Sequence, residues 1–415
     1  MTRPRADLIV RNASELLTCA GERDPGIVRE GALAVAGDEI LVVGTWDDVA
    51  AAVDLDGAVV IDAGGNVVMP GFVDCHTHVV FGGSRVDEYS AKLTGGDLNV
   101  LRAAGVPVGI VGTVDATRRL GVDGLVAEAL PRVEEMLLAG TTTIESKSGY
   151  GLETAAEIDM LRAGREIGRR LPVDIVSTFL GAHAVPVGVD RARYVDMIVS
   201  DMIPRVADEQ LAEFCDVYCE PGYFDNSDTE RILEAGLASG LRPKIHVDQY
   251  SHTGAAGLVA KLGCVSADHL NYTTPEEMKT LARAGVVGVL MPSIDFAVDH
   301  PRLADGRAML TAGMRIALAT DICPGGWMPS MQLVVALGCR FYRLSPGEAI
   351  LAATRGAAEA VGRGGRIGTL APGALADIIV LDVPRHEDIA YRFGRNAVRT
   401  VVKSGRVVVE DGRLV

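Results

Sequence analysis

Apolar residues follow two different rhythms along this chain. Before residue 72 they form short β-branched runs closed by Gly or Asn, ADLIVRN, GALAVAGDEILVVG and AVVIDAGGNVVMPG, which predict strands joined by turns. After residue 372 the same texture returns in GALADIIVLDVP and VRTVVKSGRVVVEDG. Matching β segments at the two ends predict one small β-sandwich-like domain, built from residues 1–68 and 366–415 around an inserted unit spanning 69–365.

Inside the insertion, β-branched runs alternate with amphipathic stretches such as AAEIDMLRAGREIGRRL and DTERILEAGLASGL, the pattern of parallel strands with helical crossovers. Eight such runs occur: GFVDCHTHV, GTTTIESKSGYG, VDIVSTFLGAHA, FCDVYCEPG, RPKIHVDQ, CVSADHL, GVVGVLMPS and MRIALATDICPGG. Eight strands with helices between them predict an α/β fold, a (β/α)8 TIM barrel, whose chemistry belongs where strands end and loops begin.

The chain has eight histidines, and five of them, His76, His78, His183, His246 and His269, fall at or just past those predicted strand ends. Two residues apart, His76 and His78 share one face of a strand and can grip one ion together. A third imidazole from His246 and the carboxylate of Asp321 complete a nitrogen and oxygen set that suits Zn²⁺ and also Fe²⁺. A single buried histidine is more often a hydrogen-bonded core residue than a ligand. It is the joint pattern that points to a metal. The other three, His252, His300 and His386, read as surface or loop residues.

Bulk composition narrows the partners. With 415 residues, 48% of them hydrophobic, the chain can bury a large core, and a formal charge of −15 supplies no basic field for nucleic acid or anionic lipid. No run approaches the ~18 apolar residues of a membrane span, and charged residues interrupt the start MTRPRADLIVRNASE before a signal-peptide core forms. Seven scattered cysteines without a CxxC pair indicate neither a disulfide framework nor a thiolate zinc site, and fit a reducing cytoplasm.

In order along the chain, PGFVDCHTHVVFGGSR, TTTIESKSGYG, STFLGAHAVP, KIHVDQ, VSADHL and ALATD resemble imidazolonepropionases of the amidohydrolase superfamily, over almost the whole chain. The resemblance implies a one-metal enzyme, commonly a homodimer, that opens the ring of 4-imidazolone-5-propanoate to N-formimidoyl-L-glutamate. It implies His76, His78, His246 and Asp321 as ligands, and Arg85 of FGGSR as the anchor of the substrate's carboxylate, for which a guanidinium fork is matched. Tyr150 and His183 would line the ring pocket and donate to the carbonyl oxygen or ring edge. His269 would position the hydrolytic water and Asp321 would pass a proton to the departing ring nitrogen. Lys147 suggests a carbamylated bridge, but it lies on predicted strand 2, whereas relatives with two metals draw that lysine from strand 4. A single-ion site is expected.

Three positions depart from the family pattern. Gln249 stands where HADE would supply a glutamate, and an amide hydrogen-bonds but does not titrate. Cys323 replaces an asparagine, and Gly326 a serine or threonine. These departures raise a second reading, a related carboxylate-bearing five-membered ring such as a hydantoin or a thio-imidazolone propionate. A ring deaminase is a third, against which Gln249 counts because those relatives pair the fifth-strand histidine with HxxE. A catalytically dead barrel is a fourth, against which the complete ligand set counts.

Overall fold

The computed structural model describes residues 3–106 and 108–415. Two sheets organise it. The first has nine strands in the spatial order Arg413–Leu414, Arg406–Glu410, Val398–Lys403, Ile378–Leu381, Val67–Pro70, Leu8–Leu17, Ile27–Ala36, Glu39–Thr45, with Val59–Asp62 added beside Leu8–Leu17. The two ends of the chain meet in it where Ile378–Leu381 runs antiparallel to Val67–Pro70. Period-two alternation divides its faces. Leu8, Val10, Leu33 and Val35 join Val68, Val380 and Val402 in one cluster, while Ile9, Ala32 and Ala34 pack on Val49 and Val53 near the helix Trp46–Ala52.

The second sheet holds the eight expected barrel strands, Phe72–Asp74, Thr141–Lys147, Asp174–Ala182, Phe214–Cys219, Ile245–Val247, Ser266–His269, Val287–Leu290 and Arg315–Leu318, paired in parallel in that order, with a short preceding piece, Arg242–Pro243, on the fourth. Closure between the first and eighth comes from backbone bonds just past their ends, His78 N–H to the Ile322 carbonyl at 2.9 Å and Asp321 N–H to the His76 carbonyl at 3.0 Å. Buried Asp74 adds a side-chain clasp, accepting from Thr320 N–H at 3.0 Å and from Thr320 Oγ1 at 2.6 Å.

The intervening helices bury one stripe each, as their patterning requires. Thr154–Arg170 turns Ala156, Met160, Leu161, Ala163 and Ile167 inward, and Asn226–Ala238 starts from an Asp225/Asp228 capping box. Arg132, buried on the helix Gly109–Leu138, donates to the carbonyls of Val79 and Phe81 at 2.8 and 3.0 Å and so pins the segment that follows His78. Among the described residues, no helix is long and apolar enough to cross a membrane. All seven cysteines are free thiols.

Candidate active site

Three imidazoles and a carboxylate converge at the C-terminal mouth of the barrel. His76 and His78 follow the first barrel strand, His246 sits in the fifth, and Asp321 stands just past the eighth. Donor atoms of His76, His78 and His246 lie within 4.8 Å of one another. Asp321 Oδ1 is 3.7 Å from His76 Nε2 and 3.6 Å from His78 Nε2. All four side chains are buried, and His76 Nε2, His78 Nδ1 and His246 Nε2 lack hydrogen-bond partners. Buried polar atoms are normally satisfied. Imidazole nitrogens clustered beside a carboxylate would be satisfied together by a cation, so this set fits a divalent metal ion.

The imidazoles are held from behind. His76 Nδ1 bonds Asp268 Oδ2 at 2.6 Å and His246 Nδ1 bonds Asp216 at 3.1 Å. Each carboxylate keeps the proton on Nδ1 and leaves the Nε2 lone pair for a ligand. Burial, then neighbouring positive groups, holds His76 well below the usual imidazole range, and burial followed by the adjacent histidines does the same for His78. Asp321 moves the other way, raised well above the carboxylate range by burial and by the Asp74, Asp268 and Asp295 carboxylates. A bound dication inverts that balance.

Behind these carboxylates lies a fully buried charged layer. Lys147 Nζ is 2.7 Å from Asp216 Oδ2, 3.1 Å from Glu145 Oε2 and 3.4 Å from Asp268 Oδ2. Lys244 Nζ bonds Glu145 Oε1 at 2.7 Å, Thr178 Oγ1 donates to the same oxygen at 2.5 Å, and Ser266 Oγ donates to Asp268 Oδ1 at 2.7 Å. Burial alone would lower Lys147, but Asp216, Glu145 and Asp268 outweigh it and hold the ammonium above its ordinary range. A lysine held by three carboxylates in this way is a cation.

Three strand-end residues adopt left-handed backbone, His269 at φ 80°, Asp321 at φ 48° and Asp248 at φ 55°. Such conformations are strained for residues with a Cβ and gather where a side chain must be aimed. His269 is buried with its Nδ1 unpartnered, and it offers a nitrogen within 4.8 Å of donor atoms of His76 and Asp321.

The pocket wall comes from loops. Glu157 gathers the Tyr150 loop by accepting from the N–H groups of Gly149, Gly151 and Leu152, each at 2.8 Å. Gly149, at φ 106°, has no alternative, since a Cβ there would stand 2.9 Å from the His183 side chain. His183 stacks on His78 with centroids 5.0 Å apart, and its Nδ1 bonds the Gly149 carbonyl at 3.0 Å. Burial first, then the nearby His246, pushes His183 down to about 3. It is therefore neutral with the proton on Nδ1, and its free Nε2 accepts. Tyr150 stands beside it, with its ring 5.1 Å from that of His183.

Arg85 sits at the start of the helix Val86–Leu93 and is gripped by Glu88, with Nε to Oε2 at 2.8 Å and Nη2 to Oε1 at 2.7 Å. Burial would raise Glu88, but Arg85, Lys92 and the Gly109 N–H bring it down to about 2. That pair fixes one edge of the guanidinium and leaves Nη1 toward the pocket, where a Cβ on Gly325 would be 3.6 Å from Nη1 and 3.7 Å from Cys323 Sγ. Cys323 and Gly326 close a tight turn through paired backbone bonds of 3.0 and 3.1 Å. A side chain at Gly326 would meet Ile294 at 2.8 Å, so here the turn admits only glycine without a shift. Gln249 Oε1 accepts from Tyr218 O–H at 2.8 Å, which leaves its amide NH2 to donate.

His300 and His386 lie in loops, as expected. His300 is buried, its Nδ1 accepting from Arg302 N–H at 3.1 Å and its ring 4.8 Å from that of Tyr250. His386 is partly buried, with Nδ1 bonded to Glu15 at 2.8 Å. His252 is exposed beside Glu277, as expected. Sequence reasoning missed Asp216, Asp268, Glu145, Lys244, Glu157 and Glu88. Asp216 does leave a signal: it interrupts the otherwise apolar strand Phe214–Cys219, where a charge is costly unless partnered.

The comparisons agree with the geometry. The amidohydrolase family matches residues 59–105 and 125–409, and the chain is a member of that family, whose members are generally metal-dependent. Among solved structures, a triazine hydrolase variant superposes with a TM-score of 0.73 at 19% identity, covering 98% of this chain and 96% of its own. An adenosine deaminase from Xanthomonas campestris with bound zinc gives 0.72 at 18%, covering 100% and 95%. At those identities the likeness shows the fold alone. Sequence relatives are more specific. The imidazolonepropionase of Geobacillus kaustophilus is 42% identical over 423 residues, covering 98% of this chain and 99% of the relative, and that of Halobacterium salinarum is 43% identical over 415 residues with the same coverage. Within the amidohydrolases the chain belongs to the imidazolonepropionases.

Proposed function

We propose that this chain hydrolyses 4-imidazolone-5-propanoate to N-formimidoyl-L-glutamate, breaking a ring carbon–nitrogen bond with one water in the degradation of histidine. The observation that carries this reading is the joint placement of a buried His76, His78, His246 and Asp321 cluster and a guanidinium with a free edge at the same barrel mouth. The four residues would hold one zinc ion, with iron as the other occupant that such ligands suit. When bound there, such an ion would make hydroxide available near neutral pH and would polarise a carbonyl.

The chain's own groups divide the remaining work. Arg85 receives the propionate carboxylate on the edge that Glu88 leaves open. Tyr150 donates to the ring, and His183 accepts from a ring N–H through Nε2. His269, neutral because burial and then His246 hold it well below the usual range, accepts a hydrogen bond from the attacking water and positions it. Asp321 takes the proton of that water and passes it to the departing nitrogen. Work in a reducing cytoplasm, as a homodimer, accords with seven free thiols and with the family.

Zinc-loaded protein should remove the ring absorbance of imidazolonepropionate with kcat/KM of about 10⁴ M⁻¹s⁻¹ or more. One specific observation favours a second reading, a hydantoin-like or thio-substituted ring on the same carboxylate arm: Gln249 presents an amide, held by Tyr218, where the family pattern has a carboxylate. A thousandfold lower rate on imidazolonepropionate than on such an analogue would select it.

A further inference from the structure

The charged layer beneath the site has a topology that the reaction does not require of it. Asp268, on the sixth barrel strand, is bonded to His76, which follows the first; Asp216, on the fourth, is bonded to His246, on the fifth. These two supports come from different strands and share one neighbour. Lys147, on the second strand, reaches Asp216 at 2.7 Å and Asp268 at 3.4 Å with the same nitrogen. Its third contact, Glu145 at 3.1 Å, is itself anchored by Lys244 and Thr178, so the ammonium has a third, fixed partner. Every member of this layer is buried.

We propose that Lys147 is the positioning residue of the metal centre: one ammonium locks the two carboxylates that orient His76 and His246, and so sets how tightly the ion is held. The proposal rests on the reading of those histidines as ligands. Lys147 touches neither imidazole through its Nζ and is not a catalytic residue. Its effect runs through Asp216 and Asp268, which lose a common counter-charge if it is removed and would repel across the space it vacates. Lys244 provides the contrast. It is equally buried and bonds Glu145 at 2.7 Å and the Cys75 carbonyl at 3.3 Å, yet is bonded to neither histidine-orienting carboxylate.

The test is Zn²⁺ affinity by competition with a chromophoric chelator, on full-length wild type, Lys147→Met and Lys244→Met, with near-ultraviolet circular dichroism of the metal-free forms. Loss of support behind metal-bound histidines typically weakens binding by about 10 to 100-fold. Lys147→Met should lose at least about tenfold in affinity, and Lys244→Met clearly less, although both remove a buried ammonium. A smaller loss in Lys147→Met, or an equal one in Lys244→Met, overturns the proposal. If Lys147→Met does not fold, the Asp216→Asn, Asp268→Asn cycle decides with the lysine in place. Coupling through a shared ammonium makes the double variant depart from the product of the singles by about threefold or more, whereas independent supports multiply; a smaller departure overturns it. Wild-type protein that fails to take up zinc overturns the metal reading itself; wild type that binds beside a Lys147→Met that binds equally overturns only the role of the lysine.

Discussion

The floor of the pocket and its wall are built on different principles. The floor, His76, His78, His246 and Asp321, hangs from strands and is braced by charges that have no exposure to solvent. Two of its histidines are held in one orientation, because a carboxylate behind His76 and another behind His246 engage Nδ1. The wall, Arg85, Tyr150, His183, Gln249, Cys323 and Gly326, stands on loops, and several of its groups keep spare hydrogen-bonding capacity. Arg85 and Gln249 each use one edge on a protein partner and leave the other. A floor of this kind tolerates little change, whereas a wall of this kind can be rewritten one residue at a time. All three departures from the family pattern lie in the wall.

The sharpest way to break this contrast is to attack the floor. His246→Ala should lower kcat/KM on imidazolonepropionate by roughly a thousandfold or more and abolish stoichiometric zinc in metal analysis; retention of one equivalent of zinc would show that the floor does not depend on it. Next comes the carboxylate anchor. Arg85→Ala should raise KM by about a hundredfold with a lesser change in kcat, and should leave unaltered the affinity for a ring analogue lacking the carboxylate. An equal loss on both ligands would place Arg85 in structural support of the loop.

A smaller and more diagnostic change is Gln249→Glu. On imidazolonepropionate it should raise kcat by about tenfold and add a titration to the pH profile, since a carboxylate restores a proton carrier. A fall in rate would mean that the amide is the group the native substrate requires. The smallest effect belongs to Glu88. Its folded value of about 2 lies below the ordinary 4.5, so the pair with Arg85 and Lys92 stabilises the fold above pH 4.5. That contribution fades as the pH falls from there toward 2. In Glu88→Gln, thermal melts over that window should show a shallower acid loss than wild type. Parallel melting curves would disprove the sign assigned here.

Much of the architecture could be read from the chain. Eight β-branched runs became eight barrel strands in the expected order, because a parallel strand buried on both faces leaves a continuous apolar signature. His76, His78, His246 and Asp321 were recognisable as candidate ligands since polar groups at strand ends interrupt that signature at a fixed place. The supports were harder to see. Asp216 and Lys147 lie 69 positions apart, and Cys75 and Lys244 169 apart, so nothing local records their contact. His300 stands in a loop, as read, but its packing 4.8 Å from the ring of Tyr250 is likewise recorded nowhere locally.

What the sequence determined by itself is the periodicity that sets strands and helices, the type of donor at each strand end and, through its motifs, the family. Which nitrogen of His76 and of His246 a carboxylate engages, and which edge of Arg85 Glu88 occupies, were decided only by the tertiary structure. The reason is physical: residue type fixes what a side chain can donate or accept, but the partner that consumes one of its valences arrives from a distant strand, and the direction of the remaining valence exists only after that partner is in place.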